Sequence, residues 1–344
     1  MRILVASVSN APEDVLRPHV ESVLAQDLPP RTVIDLAYIS DGLSSEAEKV
    51  LVDAGARISE ALPKTPETTY AVSEETHHWS PPTFAWLAYE KQRLLALAKD
   101  ERYDGVFFVD SDLVLGPETL ASLIYAQKDV TSAVFWTRWT PKAPLLPQVW
   151  MRHPYEFDGR GLAADEFLRE LEEKALIRVG GLGACTLIRA RVFEKVEWFP
   201  LLEGLPEGGM WQGEDRSFCI KAERAHVELW ADAWPDVFHL YRPSERKEFE
   251  EWSPPKRVQT PSVGSWVSLV LEPIEEPALT RHREHLRGRL GALPVLPEIE
   301  RTILGMRVGD ARVVKMTFPP SYVIPEYRNR EKSVLVRLLD AKDV

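Results

Sequence analysis

Compact apolar runs alternate with helix-patterned segments along the first part of this chain. Arg2 to Ser7 is followed by Asn10, Pro12 and a helical pattern carrying Val15, Val20, Val23 and Leu24. Thr32 to Ile39 ends in Ser40-Asp41-Gly42 before the helix-like Ser45 to Ala54. After a long loop, Pro82 to Ala98 reads as a helix, and Gly105-Val-Phe-Phe-Val109 is a buried strand by its unbroken apolar run, ending abruptly in Asp110-Ser111-Asp112. Strand, loop and helix in this alternation predict an α/β domain with a mostly parallel sheet. Ligands of such sheets gather outside the carboxyl ends of the strands, where Asp41, Asp110 and Asp112 fall.

The early turns contain neither a Gly-x-Gly-x-x-Gly nor a Gly-x-x-x-x-Gly-Lys-Ser/Thr pattern, so a dinucleotide or P-loop site has no support. Farther on, Gly180-Gly181-Leu-Gly183 reads as a turn feeding a strand. Gly213-Glu214-Asp215 is an acidic cap opening an amphipathic helix, and short strands follow at Val227 to Trp230 and near His239. A charged, Pro254-Pro255-containing stretch marks a linker at 247–261, between a domain at 1–246 and another at 262–344. A length of 344 residues accommodates both.

Lys and Arg number 42 against 53 Asp and Glu, a net charge of -11, which lacks the overall basic field of a non-specific nucleic-acid or membrane binder. Two cysteines, Cys185 and Cys219, make no disulfide framework and no zinc spacing, and the apolar N-terminal run is too short for a signal segment. A cytoplasmic location is expected.

Two aspartates one residue apart at a strand end lie on one side of an extended chain, and Mg²⁺ or Mn²⁺ takes such hard oxygen ligands while leaving positions for phosphates. The same pair also suits a turn or a cap before Pro117 and Glu118. Glu214 and Asp215 offer a general base for an acceptor hydroxyl, or a helix cap. His239 gains interest as a ligand only beside these acids.

Asp41, then Phe107-Phe-Val-Asp110-Ser-Asp112, then Gly180-Gly-Leu-Gly-Ala-Cys-Thr-Leu-Ile-Arg, then Gly213-Glu-Asp-Arg-Ser-Phe-Cys, then His239, in that order, resemble a GT-A-fold glycosyltransferase of the broad family 2 and Anp1-like kind, over residues 1 to about 245. The resemblance implies a Rossmann-like mixed sheet with helices on both faces, and a UDP- or GDP-sugar donor bound with Mn²⁺ or Mg²⁺. It implies that Asp41 meets the nucleobase or ribose, that Asp110, Asp112 and His239 serve the metal, with Asp110 nearer the ribose, and that Asp215, with Glu214 beside it, is the base. Ser9, Lys91, Arg93, Gly181 and Trp211 would join Asp41 and Asp110 around the donor, Lys91 or Arg93 near the diphosphate. The second strand ends Ser-Asp-Gly instead of Asp-Asp-Gly-Ser, and no Gln-x-x-Arg-Trp occurs, which favours single-sugar transfer, with an inverting course as the lean.

Gly305-Met306-Arg-Val-Gly309-Asp310 and Phe318-Pro-Pro-Ser-Tyr322 resemble an FKBP-like domain of the trigger-factor type, with Val295, Leu296, Ile299 and Tyr322 implied at a prolyl pocket. Ile299 stands where many active members carry an aromatic residue, so an accessory domain is the expectation. The basic stretch Arg281 to Arg289 reads as a solvated helix face or a contact for a phosphate-bearing partner. The acceptor is a hydroxyl of a glycan, lipid-linked saccharide, protein, metabolite or hydroxymethylated DNA base. The alternatives are a prolyl isomerase or chaperone-like binding protein on a degenerate scaffold, and a nucleotidyltransferase, which would need a basic glycine-rich loop that residues 6–14 lack. Trp136, Trp139 and Trp150, like Trp211, are candidates to stack on a sugar or base.

Overall fold

The computed structural model describes residues 1–69, 71–72, 77–150, 162–172, 176–203, 213–254, 258–273, 284–321 and 327–342. They divide into two units, one running from Met1 to Trp252 and the other from Ser253 onward.

In the first unit, β1 (Arg2–Ser9), α1 (Glu13–Leu24), β2 (Val33–Ser40), α2 (Ser45–Asp53) and β3 (Arg57–Glu60) alternate as expected. The long α3 (Pro81–Asp100) leads into β4 (Gly105–Val109), β5 (Leu113–Leu115), α4 (Thr119–Tyr125) and β6 (Val130–Ala133). Then come β7 (Leu176–Val179), β8 (Cys185–Arg189), α5 (Glu214–Arg224), β9 (Leu229–Asp232) and β10 (Val237–His239). Eight of these strands make one sheet in the order β7-β9-β6-β8-β4-β1-β2-β3. The pairs β1/β2, β2/β3, β1/β4 and β6/β9 are parallel, whereas β8 runs antiparallel between β4 and β6, and β7 antiparallel to β9. The α/β class is the one the pattern predicts, but with three of the seven pairings antiparallel the sheet is mixed, as the resemblance implies, and less parallel than the pattern predicts.

Alternation along the strands sends side chains to both faces. Ile3, Val5, Phe107, Val109 and Leu187 pack with Leu16, Val20 and Val23 of α1, Leu51 of α2 and Leu120 of α4. On the other face, the Phe108 ring meets the Trp198 edge at 5.3 Å, and Trp198 stacks on Phe218 of α5 at 4.5 Å. Both faces are covered, which is why β4 reads as a continuous apolar run. Leu24, placed by the sequence pattern on the apolar stripe of α1, is exposed; the buried positions are Leu16, His19, Val20 and Val23.

The helix starts are chemically marked. The Ser44 hydroxyl accepts from the Ala47 amide at α2, and Ser80 accepts from Thr83 at α3, whose first turn holds Pro81 and Pro82. No helix among the described residues is long and apolar enough to cross a membrane.

The second unit contains β11 (Trp266–Pro273), β12 (Glu284–Arg289), α6 (Pro297–Ile303), β13 (Ala311–Thr317) and β14 (Glu331–Lys342). They form an antiparallel sheet in the order β12-β11-β14-β13, and Ile299, Ile303 and Met306 complete its core. The described part of the basic stretch, Glu284–Arg289, is thus an edge strand and not a helix face. Charge on an edge strand discourages pairing with other chains.

Candidate active site

Neighbouring parallel strands end together and are tied to one another. The Ser9 hydroxyl, buried at the end of β1, donates to Ser111 Oγ over 2.8 Å, and its carbonyl accepts from the Asp41 amide over 2.8 Å. Ser9 thereby spaces the end of β2 from the turn after β4. The Asp41 carboxylate, beyond the end of β2, is ion-paired with Lys64 at 2.5 Å, and Lys64 stands 4.5 Å above the Trp86 ring.

That loop is fastened from α3. Trp86 Nε1 donates to the Leu62 carbonyl at 3.0 Å, while the Leu62 amide donates to Glu90 at 2.8 Å. Arg93 donates to the other oxygen of Glu90 and to the Glu60 carbonyl. Arg93 therefore braces the loop that delivers Lys64 to Asp41.

The Asp-x-Asp segment is not extended: the Leu113 amide donates to the Asp110 carbonyl at 3.1 Å, so the chain turns between β4 and β5. Asp110 faces outward and is exposed, whereas Asp112 is half-buried. The register of β5 against β10 sets His239 opposite Leu113, and the Leu240 amide donates to the Asp112 carbonyl. His239 Nε2 comes within 3.2 Å of Asp112 Oδ2, and its Nδ1 lies 2.7 Å from Thr137 Oγ1. Phe135 and Tyr241 flank the imidazole, with ring centroids at 5.2 and 5.0 Å.

Beneath this turn, His19 joins α1 to β5. Nδ1 lies 2.7 Å from the Leu113 carbonyl, which can only accept, so that nitrogen carries the hydrogen and Nε2 accepts from Tyr38 at 2.8 Å. Complete burial lowers the His19 pKa to about 4, although the Leu113 bond opposes the shift.

Across from Asp112, α5 opens at Gly213, whose φ of 132° belongs to a region that residues with a Cβ avoid. Its first-turn acids, Glu214 and Asp215, both accept from Lys91 of α3, at 2.9 and 2.8 Å. Lys91 is nearly buried and lies 4.6 Å from the Trp198 ring centroid. Burial alone would lower its pKa, but Asp215, Glu214 and Asp110 outweigh that and hold it raised. Burial raises the Asp215 carboxyl to about 6 against the pull of Lys91. Asp110, though exposed, is crowded by protein on its other sides. That loss of hydration and the carboxylates of Asp112, Asp215 and Glu214 push it above the usual range, again against Lys91.

Gly181 pairs with Trp150, and a Cβ there would fall 2.0 Å from the indole, so only glycine admits this ring. The Arg216 guanidinium lies 5.0 Å from the same ring. Trp211 and Tyr322 lie outside the described residues. In the second unit, Ile299 is core, while Val295 and Leu296 pack at its margin.

The structure thus brings Ser9, Asp41, Asp110, Asp112, Glu214, Asp215 and His239 to one end of the sheet and turns Arg93 to a bracing role. Lys64, His19 and Trp198 were not anticipated. Lys64 sits in an irregular loop and Trp198 in a bend after a turn, where no period marks them, and His19 shows only as a polar residue inside an apolar helical stripe.

Among the described residues, no three His, Cys, Asp or Glu side chains are grouped to hold a metal ion. Asp112 and His239 do converge as an oxygen and a nitrogen ligand. This pair fits a hard divalent cation whose other positions are filled by phosphate oxygens and water.

No protein-family model matches the chain, and no curated protein sequence matches it. Among solved structures, residues 1–349 of S. aureus TarS are similar at 14% identity and a TM-score of 0.40, covering 68% of this chain and 58% of that one. The same protein in complex with UDP-GlcNAc gives 15% and 0.36, covering 68% and 56%, and the TarS structure described without residue limits gives 15% and 0.38, covering 67% and 35%. The match spans less than two thirds of each of those chains.

Proposed function

We propose that the first unit is a metal-dependent glycosyltransferase that moves a single sugar from a nucleotide-sugar donor to an acceptor hydroxyl, by an inverting and non-processive course. One observation carries the reading: five acids from three separate segments, Asp41, the Asp110/Asp112 turn and the Glu214–Asp215 pair, gather with His239 at the carboxyl end of a mixed α/β sheet. Clustered carboxylates repel one another and are costly without a positive partner, so such a site favours a cationic or cation-bearing ligand.

In this reading Asp41 accepts a hydrogen bond from the nucleobase or ribose, with Lys64 beside it, and Asp110 accepts from a ribose hydroxyl. Asp112 and His239 would hold the Mn²⁺ or Mg²⁺ ion, with Thr137 fixing the imidazole through Nδ1. A divalent cation held there would offset the charge that builds on the departing diphosphate. Asp215 takes the proton of the acceptor hydroxyl as its oxygen bonds to the anomeric carbon, and the carbon–oxygen bond to the diphosphate breaks with its electron pair. UDP- and GDP-sugars are the donor class. The acceptor is a glycan, protein or metabolite hydroxyl, a hydroxymethylated DNA base being disfavoured by the net charge of -11. The second unit is read as an FKBP-like accessory domain, and a cytoplasmic setting agrees with the two buried, unpaired cysteines.

The test is thermal stability and nucleotide release across UDP-, GDP-, dTDP- and CMP-sugars, with and without Mn²⁺, in wild type and Asp112→Asn. A donor that stabilises the protein only with metal, with binding and slow donor hydrolysis lost in the variant, supports the reading. Indifference to every donor sinks it.

A further inference from the structure

Lys91 is a buried cation that pairs with two acids inside the protein. Its ammonium donates to Glu214 Oε1 and Asp215 Oδ1, and its side chain is only 5% exposed. The surroundings fix it in place. Trp198 lies below the ammonium, held by stacking on Phe218 of α5 and by the edge contact with Phe108 at the end of β4. The Trp198 amide donates to Gln92 Oε1 of α3 at 2.8 Å, so the residue after Lys91 secures the same platform. Helix α3, helix α5 and strand β4 are thereby locked together beside Asp215 and Asp110.

The two acids bound by Lys91 are not equivalent. Glu214 is 10% exposed at its side chain and Asp215 22%. Glu214 serves as an internal counter-ion, while Asp215 is held by one oxygen and presents the rest of its carboxylate outward. An ammonium so enclosed, with bonds to both acids, has its charge met within the protein.

We propose that Lys91 is the positioning residue of the Asp215 base and makes no contact with the donor's diphosphate. It holds the carboxylate by one oxygen and offsets the repulsion among Asp215, Glu214 and Asp110. This inference rests on the glycosyltransferase reading and assigns Lys91 a role distinct from donor binding. The groups facing Asp215 are Lys91 from α3, Glu214 from its own helix and Asp110 from the end of β4.

The experiment separates binding from turnover in the full chain. UDP and GDP, each with Mn²⁺, are titrated by calorimetry into wild type, Lys91→Gln and Lys91→Arg, and hydrolysis of the corresponding sugar nucleotides gives kcat and KM. We expect Lys91→Gln to keep the nucleotide Kd within about twofold and lose at least about tenfold in kcat, with Lys91→Arg between it and wild type because the charge returns without the same reach. A Kd weakened about tenfold or more in either variant, with kcat retained, overturns the assignment and returns Lys91 to the diphosphate. If Lys91→Gln does not fold, Lys91→Arg decides by the same split. Failure of wild type to bind either nucleotide overturns the transferase reading, and this assignment with it, whereas wild-type binding with a kcat unaffected in both variants overturns the assignment alone.

Discussion

His239 Nε2 lies 3.2 Å from Asp112 Oδ2, so two residues far apart in the chain meet because β10 pairs antiparallel with β5 in a register that sets His239 opposite Leu113. The imidazole is oriented from its other side by Thr137. A metal ligand oriented in this way loses affinity when its partner is removed, by about 10- to 100-fold in comparable sites. Thr137→Val should therefore weaken Mn²⁺-dependent stabilisation by the nucleotide, and His239→Ala should weaken it further, as read by thermal shift over a Mn²⁺ titration. Equal Mn²⁺ response in all three proteins counts against the pair as a metal site.

Acid should destabilise the first unit through His19. Its folded pKa of about 4 lies below the ordinary value of 6.5, so between these values the unfolded chain binds the proton and the folded one does not. This stability is fully present above pH 6.5 and is lost as pH falls toward 4, by up to about 3 kcal/mol. Urea unfolding at pH 7 and pH 4.5 measures it. His19→Gln should unfold more easily at pH 7, by about 1–3 kcal/mol for the bonds left unmade, and show a shallower pH dependence across that window. An identical pH dependence in the variant would place the acid sensitivity elsewhere.

Gly213 adopts a φ of 132° immediately before the acids of α5. Among the described residues a Cβ meets no atom within 4 Å there, so the cost of Gly213→Ala is backbone strain, about 1–3 kcal/mol. The strain falls next to Glu214 and Asp215, so kcat for donor hydrolysis should drop as well, while nucleotide Kd, which the proposed function assigns to Asp41 and Asp112, should hold. A variant as stable and as active as wild type contradicts this account.

Gly181→Ala differs in kind. Its Cβ would overlap the Trp150 ring, so the indole must leave its position over the Arg216 guanidinium. Overpacking of this sort costs about 1–3 kcal/mol. The tryptophan emission spectrum of the folded variant should shift, and an unchanged spectrum with unchanged stability argues against the contact.

With Asp215 as the proposed base, donor hydrolysis should rise with pH through about 6, because that carboxyl is held near this value and takes a proton only when deprotonated. Removal of Lys91, which pulls that pKa down, should move the acidic limb to higher pH. A pH–kcat profile flat from 5 to 8 would exclude Asp215 as the titrating base.

The period of apolar residues is a local property, and it was enough to reveal the strands read at Arg2 to Ser7, Thr32 to Ile39 and Gly105 to Val109, the helices between them, and hence the α/β class and the acids at the strand ends. The acidic start of α5 and the candidate status of His239 were legible for the same reason, since each stands at the edge of a patterned segment. What the chain alone left open was pairing across distance. The outward course of Asp110 follows from a turn closed by the Leu113 amide, and the role of Lys91 follows from α3 lying against α5. Arg93, only two positions along the same helix, projects to another side and braces the Glu60–Leu62 loop. A sequence shows that three cations and several acids exist, but their charges act through distance and hydration, and both are set only when the sheet and its covering helices have packed.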